Sequence, residues 1–304
     1  MIELERIKQN IEMLSKEKSL AIDSIFIEQN GKIDCFFYQK ESLHELRSCS
    51  KCLVGLAIGI AIDRKFLTLD TLIYPAIKNV VQIRNKNNLE KIKQWTIRNC
   101  LMHTTGYEEQ MMSERYIENI AKEQLIDYAL NYNMPYKVGE RFAYNNVEPF
   151  ILSVFFQESF KVNLTEFIQE NIFSPLGITE YKWDNYGKYC PGTTGLYLKH
   201  SDFHKIGQLL LNDGQYNHQQ IVSKNWIKEM CRMQRKTPEI CKKERVLPKY
   251  GVGYFTFISR DGYVFRDGSN GQYIILNKEK NQLITIMSSE KEMKNVTEIL
   301  RNII

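Results

Sequence analysis

Ser48 and Lys51 have the types and spacing needed for nucleophilic catalysis. They stand three residues apart, just before an apolar segment that runs from Cys52 to Ile62. Residues at positions i and i+3 are neighbours on a helix surface, so the hydroxyl and the amine can meet there. A serine hydroxyl is a weak nucleophile until a base takes its proton. A lysine that burial keeps neutral can be that base, so the pair predicts a nucleophile and its proton acceptor.

The apolar segment behind this pair predicts a buried helix. It is apolar on every face, whereas a surface helix has a single apolar stripe, and it is shorter than the roughly 20 residues that span a bilayer. Gly55 and Gly59 lie on one face and would admit a second element at close range. The alternative interpretation is a capping serine and a surface lysine, because the same spacing recurs after Ser15 and after Ser288.

Two further polar groups are candidates to complete a site. Tyr144-Asn145-Asn146 enters a predicted helix, where an asparagine usually caps and a tyrosine usually packs. Arg266-Asp267-Gly268-Ser269 lies between two predicted strands. The Asn270-Gly271 pair that follows suits a hairpin turn. Alternatively, Arg266 to Ser269 is the edge of a strand, and its glycine admits a substrate close to the backbone.

Together and in this order, these groups resemble the motifs of the serine β-lactamase and penicillin-binding protein superfamily, especially its class C-like esterase and peptidase branch. Ser48 to Lys51 matches its Ser-x-x-Lys, and Tyr144 to Asn146 its Tyr-x-Asn. Arg266 to Gly268 stands where the family has Lys-Thr-Gly or His-x-Gly. Flanking segments agree with family patterns, namely Leu101–Gly106, Pro175–Ile178, Gly195–Leu211 and Tyr250–Tyr254. The resemblance extends from about Ser24 to Ser289.

The resemblance implies a serine hydrolase that forms an acyl-enzyme on Ser48, with Lys51 and Tyr144 sharing the proton transfers. The implied substrate-binding and oxyanion positions are Asn146, Arg266, Gly268 and Ser269, with backbone N–H groups of Ser48 and Ser269 as the oxyanion donors. No metal or organic cofactor is expected, and the expected partner is a small ester, amide or peptide. Two alternatives remain open, an acyltransferase or transesterase with the same residues and an idle member that only binds a ligand.

The third motif departs from the family pattern. Arg266 replaces the usual lysine or histidine, keeps a positive charge and can bind a substrate carboxylate through two nitrogens. Asp267 replaces the usual threonine and is a candidate to neutralise Arg266 instead. No glutamate motif of the class A deacylating kind is present in the sequence, so Tyr144 is the predicted activator of water.

The elements that must position these residues predict an α+β fold. An antiparallel sheet is flanked by the N- and C-terminal helices and the buried central helix, beside a mostly helical subdomain. The predicted strands are Ala21–Glu28, Lys32–Gln39, Tyr254–Ile258, Tyr263–Phe265, Tyr273–Leu276 and Leu283–Met287. The predicted helices are Ile2–Ser15, Leu89–Met102, Ile117–Asn131, Val147–Ser159, Asp202–Leu211, Ser223–Met233 and Glu292–Ile304.

We expect residues 1–304 to form a single domain with a cleft at the junction of its two parts. The sheet part comprises about 1–65 and 215–304, and the helical part about 66–214. The Asn30-Gly31 pair predicts a hairpin between the first two strands.

Composition excludes several classes of protein. Hydrophobic content of 43% and charged content of 25% are ordinary for a globular chain. The net charge of +5 is mild, and no basic run is interleaved with aromatics, so nucleic-acid binding is not expected. The segment Met1–Arg6 is charged and unlike a secretory signal, and seven cysteines are an odd number. We therefore expect reduced thiols, a cytoplasmic location and no membrane association.

Other candidate sites are weaker. Cys49 and Cys52 form a single Cys-x-x-Cys, for which packing is favoured over redox or metal chemistry. His200 and His204 have the i, i+4 spacing of zinc ligands, but position 201 is serine rather than a catalytic glutamate, so packing or solvation is favoured. We expect His103 to be a hydrogen-bonded structural residue. The sequence contains no Gly-x-Ser-x-Gly elbow of an α/β-hydrolase.

Overall fold

A computed structural model describes residues 9–13, 20–238, 247–301 and 303–304. The strands are β1 (Ile22–Gln29), β2 (Lys32–Phe37), β3 (His44–Glu45), β4 (Lys182–Trp183), β5 (Leu196–Leu198), β6 (Gln215–Tyr216), β7 (Gln219–Gln220), β8 (Arg235–Lys236), β9 (Gly251–Val252), β10 (Phe257–Ile258), β11 (Val264–Gly268), β12 (Gln272–Asn277) and β13 (Gln282–Ser288). The helices are α1 (Lys51–Asp63), α2 (Tyr74–Ile77), α3 (Lys86–Ile92), α4 (Ile97–Leu101), α5 (Glu114–Ile117), α6 (Leu125–Asn131), α7 (Val147–Phe160), α8 (Leu164–Ile168), α9 (His200–Leu211), α10 (Lys224–Cys231) and α11 (Met293–Arg301). Residues 9–13 are also helical.

Eight strands form one antiparallel sheet in the order β2-β1-β13-β12-β11-β10-β9-β8. The hairpin β1–β2 turns at Asn30-Gly31 as predicted, and β1 pairs with β13, which joins the two ends of the chain. The expected α+β fold, with both strand groups in one antiparallel sheet, is therefore confirmed. Two small sheets, β3-β5-β4 and the hairpin β6-β7, were not predicted because their strands are only two or three residues long.

Apolar side chains on the two faces of the sheet belong to different clusters. On one face Ile25, Ile275 and Ile284 pack with Ile11 and with Ile299 of α11. On the other face Ile274 and Leu283 join the larger core formed by α1, the helical block and α9. The strands alternate their side chains between the faces, so a residue's position on a strand decides which layer it reaches.

Helix α1 occupies the centre of the larger core, as its all-round apolar sequence predicts. Every residue from Lys51 to Ala61 is buried. Its glycines admit α10 at close range: the Trp226 ring lies where a Cβ on Gly59 would be, 2.1 Å from the nearest ring atoms, and the Trp226 indole N–H donates to the Gly55 carbonyl at 3.0 Å. The predicted close approach at these two glycines is confirmed.

Local capping breaks the first of the two long predicted helices. The predicted helix Leu89–Met102 is wrong: α3 ends at Ile92 and α4 starts after Thr96, whose extended backbone and side chain cap α4 in a reciprocal pair with Asn99.

The second long helix and one strand also differ from the predictions. The prediction Ile117–Asn131 is wrong because α5 ends at Ile117 and Ala121 is extended before α6. The predicted strand Tyr254–Ile258 shortens to β10, since Phe255 is left-handed at φ 54°. Within the predicted N-terminal helix Ile2–Ser15, only residues 9–13 are described.

None of the helices in the described part of the chain combines the length and apolar character required to cross a membrane.

We expect Gly59→Ala to destabilise the fold far more than Gly55→Ala. At Gly59 the new methyl group overlaps a rigid indole ring, and overpacking of this kind costs about 1 to 3 kcal/mol. At Gly55 it meets the flexible end of Met230 at 3.0 Å, which can move aside, and the helix propensity gained, about 1 kcal/mol, is the same at both positions. The midpoints of urea denaturation of the two variants measure the difference. Equal midpoints would show that α10 does not pack on α1 in this way.

Candidate active site

Ser48 lies in a 3-10 turn, Arg47–Ser50, that leads directly into α1 at Lys51. Lys51 has no exposed surface and Ser48 is half-buried, and the lysine Nζ lies 2.9 Å from the Ser48 Oγ. The i, i+3 spacing therefore brings the two groups into hydrogen-bond contact, as expected. Arg47, immediately before the serine, is left-handed at φ 51°, a conformation that non-glycine residues adopt at a cost and that is common at functional sites.

The electrostatic environment of Lys51 favours the neutral amine. Burial lowers the pKa of Lys51 well below its ordinary value, and the positive charge of Arg266 lowers it further. The negative charges of Asp267 and Glu148 oppose this shift without cancelling it. A neutral amine has a lone pair, so the Lys51 Nζ, which lies 2.9 Å from the Ser48 Oγ, can accept the Ser48 proton.

Tyr144 lies in the loop before α7, and its hydroxyl lies beside Ser48. The Arg266 Nη2 donates to the Tyr144 hydroxyl at 3.1 Å, and the Lys51 Nζ lies 5.0 Å from the centre of the tyrosine ring. Burial raises the pKa of Tyr144, while the charge of Arg266 and a hydrogen bond with Ser48 oppose the rise. Tyr144 is therefore a protonated phenol at neutral pH and a proton donor within reach of Ser48.

Arg266 joins the sheet to the turn that carries Ser48. From β11 its Nε donates to the Ser48 carbonyl at 3.0 Å, while Nη2 reaches Tyr144, and the side chain is only 2% exposed. These contacts commit the guanidinium to protein acceptors rather than to a substrate carboxylate. Asp267 is ion-paired with Lys249 at 2.9 Å.

The remaining predicted positions line the mouth of the site. A Cβ on Gly268 would lie 2.8 Å from the Leu46 carbonyl oxygen, so only glycine lets β11 approach the Ser48 turn this closely. Ser269 follows it and is exposed at the pocket. The Asn146 Nδ2 donates to the Met112 carbonyl at 3.0 Å, which fixes its amide at the pocket wall.

A pocket of about 360 Å³ opens onto Ser48 and Tyr144. It lies at the small end of the range for ligand pockets. Its lining residues include Arg47, Gln110, Met112, Glu114, Arg115, Tyr186 and Thr194, none of which the sequence analysis identified. Larger depressions beside α9 and α2, of about 690 and 740 Å³, lie away from Ser48 and lack the serine–lysine pair.

One buried and one half-buried charged residue near the site were also missed. Glu148, on the first turn of α7, accepts a hydrogen bond from His103 Nδ1 at 3.0 Å, and Lys249 lies over the Tyr144 ring at 5.5 Å. The sequence did contain a signal for Glu148, because it is the one carboxylate in the otherwise apolar start of α7. Nothing in the local sequence distinguishes Lys249 from a surface lysine.

A family model described as Beta-lactamase matches residues 37–303, which is most of the chain. The chain belongs to the Beta-lactamase family. Members of this family are hydrolases. A search of curated protein sequences returned no significant match.

Solved structures show the same fold at low sequence identity. EstCE1, described as a hydrolase with promiscuous acyltransferase activity, has a TM-score of 0.79 at 13% identity, with 100% of both chains covered. A penicillin-binding protein homologue from Pyrococcus abyssi, described as octameric, has a TM-score of 0.77 at 20% identity, with 99% of this chain and 77% of that chain covered. A putative 6-aminohexanoate-dimer hydrolase from Bacillus anthracis has a TM-score of 0.75 at 18% identity, with 96% and 79% covered.

The weaker candidates from the sequence lie within packed regions. His200 and His204 are buried between α9 and the sheet, and both bond the Thr285 hydroxyl at 2.9 Å. Burial raises the pKa values of the Cys49 and Cys52 thiols, which makes both poor thiolates. Among the described residues, no group of three or more metal-ligating side chains is arranged to hold an ion.

We expect Gly268→Ala to reduce kcat/KM for a p-nitrophenyl ester at least about tenfold, which corresponds to roughly 1.4 kcal/mol. The added methyl group meets a backbone carbonyl that cannot rotate away, so β11 must retreat from the Ser48 turn. Gly31→Ala is the control for lost stability, because its φ of 78° strains an added Cβ in the remote β1–β2 turn while leaving the Ser48 turn untouched. An unchanged rate for Gly268→Ala would contradict the close approach.

Proposed function

We propose that this protein is a serine hydrolase that cleaves an ester or amide bond of a small substrate through an acyl-enzyme on Ser48. The observation that carries the proposal is the 2.9 Å contact between the Ser48 Oγ and the amine of a lysine with no exposed surface. A hydroxyl held against a neutral amine in a half-open pocket is an activated nucleophile.

In acylation, the Ser48 Oγ attacks the substrate carbonyl and its proton moves to Lys51. The leaving alcohol or amine takes a proton from Tyr144, whose transient phenolate is stabilised by Arg266 at 3.1 Å. The Lys51 ammonium then returns the first proton to Tyr144. The raised pKa of Tyr144 and the lowered pKa of Lys51 support this division of roles, with the lysine as base and the tyrosine as acid.

In deacylation, a water molecule attacks the ester on Ser48 and gives a proton to the pair formed by Lys51 and Tyr144. This pair returns a proton to Ser48 as the acid departs. Backbone N–H groups of Ser48 and Ser269, both at the pocket, would stabilise the oxyanion in each step. Losing one such donor typically costs about 10² to 10³ in rate. Asn146 would orient the substrate from the pocket wall.

The substrate is proposed to be a small intracellular ester, amide or peptide. The pocket volume of about 360 Å³ supports a small acyl group. The burial of Arg266 argues against recognition of a substrate carboxylate by that residue. The cytoplasmic location rests on the odd number of cysteines. We also propose that the sheet and helical parts act as one domain, because both supply residues of the site.

The nucleophile is tested by intact mass after incubation with a fluorophosphonate probe and, separately, with a penicillin. We expect a probe adduct on the native chain and on Ser174→Ala, an exposed serine of the helical part, and none on Ser48→Ala. A stable penicillin adduct would show in addition that the site is of the penicillin-binding type. If the probe fails to label the native chain, the ligand-binding alternative replaces the hydrolase.

Hydrolysis and acyl transfer are separated by adding an alcohol or amine acceptor to a p-nitrophenyl ester. A hydrolase releases the free acid in both conditions, whereas a transferase turns over appreciably only with the acceptor and forms the new ester or amide. The structural neighbour described as having promiscuous acyltransferase activity makes this comparison worthwhile.

We expect kcat/KM to rise with pH as Lys51 loses its proton, at a pH well below the ordinary lysine value. Removing the Arg266 charge by Arg266→Met should raise the pKa of Lys51, because that charge lowers it. The acidic limb of the plot of kcat/KM against pH should therefore move to higher pH. Arg141→Met is the control, since Arg141 stacks on Tyr136 outside the site. A limb that stays in place in Arg266→Met would show that Lys51 is not the group titrating.

A further inference from the structure

Beneath Tyr144 lies a buried carboxylate–imidazole pair that the proposed reaction does not use. Glu148 is 1% exposed and His103 is 3% exposed, and the His103 Nδ1 lies 3.0 Å from the Glu148 Oε2. Burying a carboxylate is costly unless it is paired and hydrogen-bonded. Its presence in the core beside the site therefore calls for a reason beyond packing.

Glu148 is satisfied as an anion. Besides His103, the Thr105 hydroxyl donates to its Oε1 at 2.6 Å and the Asn145 Nδ2 donates to the same oxygen at 3.0 Å. It is also the second residue of α7, where the helix dipole favours negative charge. Three donors and a helix N-terminus together stabilise a full negative charge at this point.

The pair holds the backbone on both sides of Tyr144. On one side the Ala143 N–H donates to the His103 carbonyl at 2.9 Å. On the other side, Asn145 connects the carboxylate of Glu148 to the Ala143 carbonyl at 2.8 Å and accepts from the Val147 N–H at 2.8 Å. The neighbours of Tyr144 are thus held by the His103 main-chain carbonyl on one side and, on the other, by the Asn145 amide, which is itself bonded to Glu148.

The His103 ring is itself held in an unfavourable arrangement. Its backbone is left-handed at φ 52°, and its Nε2 is buried without a hydrogen-bond partner among the described residues. The ring packs 5.0 Å from the Tyr144 ring and 5.1 Å from Phe255. An orphaned buried nitrogen and a left-handed backbone each cost free energy, and such strain concentrates at functional sites.

The pair interacts electrostatically with Lys51 and Arg266. Burial lowers the pKa of His103, and the hydrogen bond with Glu148 opposes that shift, so the histidine is neutral and the pair carries one net negative charge. The titratable and charged groups that face it from the surrounding elements are Lys51, Arg266, Tyr144, Cys100 and Tyr107. Burial raises the pKa values of Cys100 and Tyr107, so these two remain uncharged.

We propose that His103 and Glu148 are positioning residues, with His103 orienting Tyr144 and Glu148 supplying the buried negative charge that balances Arg266 and the ammonium that Lys51 becomes when it accepts the Ser48 proton. This inference rests on the proposed hydrolase function. The two residues act through Tyr144 and Lys51 and touch no substrate atom.

Glu148→Gln tests the charge, because it keeps the size of the side chain and one acceptor oxygen. The negative charge of Glu148 raises the pKa of Lys51, so its removal should lower that pKa and move the acidic limb of kcat/KM to lower pH. We expect a measurable shift that is smaller than the one in Arg266→Met, because the charge of Glu148 acts on Lys51 less strongly than that of Arg266. This direction is opposite to the one expected for Arg266→Met.

The control is Glu158→Gln, the same change on the same helix. Glu158 is bonded to Lys188 and Tyr189, away from Ser48, and the variant should leave the limb in place. If Glu148→Gln lowers activity evenly across pH and leaves the limb unmoved, Glu148 has only a structural role and the proposal is overturned.

His103→Asn tests the orientation independently, and remains informative if Glu148→Gln does not fold. Asparagine tolerates the left-handed backbone but cannot reproduce the imidazole contacts with both Glu148 and the Tyr144 ring. We expect kcat to fall at least about tenfold, or roughly 1.4 kcal/mol, with KM within about twofold and the acidic limb unmoved. An unchanged kcat overturns the positioning role. If the wild-type chain shows no Ser48-dependent hydrolysis, the proposed function itself fails, which is a separate outcome.

Discussion

The structure depends on burying one lysine amine against one serine hydroxyl. An ammonium group without solvent is expensive to maintain, so a lysine in this position gives up its proton more readily than it would in water. The uniformly apolar helix α1 provides that burial, because its residues from Lys51 to Ala61 face protein on every side. Gly55 and Gly59 complete it by letting α10 close over the helix. The same packing that stabilises the core therefore also favours the neutral form of the amine, which the proposed base requires.

Three distant parts of the chain meet around this pair. The turn before α1 supplies Ser48, the loop before α7 supplies Tyr144, and β11 supplies Arg266, whose two hydrogen bonds connect the other two parts. The arginine lowers the pKa values of both Lys51 and Tyr144, so one buried cation acts on the proposed base and the proposed acid together. Arg266 is buried and is not among the residues that line the pocket.

Local patterns in the sequence were sufficient for much of the fold. The all-apolar α1, the Asn-Gly hairpin and the alternating strands of the C-terminal part follow from short-range preferences, and the Ser48–Lys51 contact follows from helix geometry. The break between α3 and α4 was missed because the reciprocal cap of Thr96 and Asn99 outweighed a continuous apolar period. The pairing of Asp267 with Lys249 and the burial of Arg266 were not predictable, since both depend on contacts between distant segments. Tyr144 and Arg266 entered the candidate site only through the order of family motifs.

The central claim is that Lys51 is neutral at the pH where the protein works. The most direct measurement is an NMR titration of the protein with 13C-labelled lysine, in which the Lys51 Cε signal is assigned by its loss in Lys51→Met. The account predicts that this signal titrates well below the range of the other lysines, because burial and Arg266 both favour the neutral amine. A Lys51 signal that titrates with the surface lysines would contradict the account, since the amine would then be charged and unable to accept the Ser48 proton.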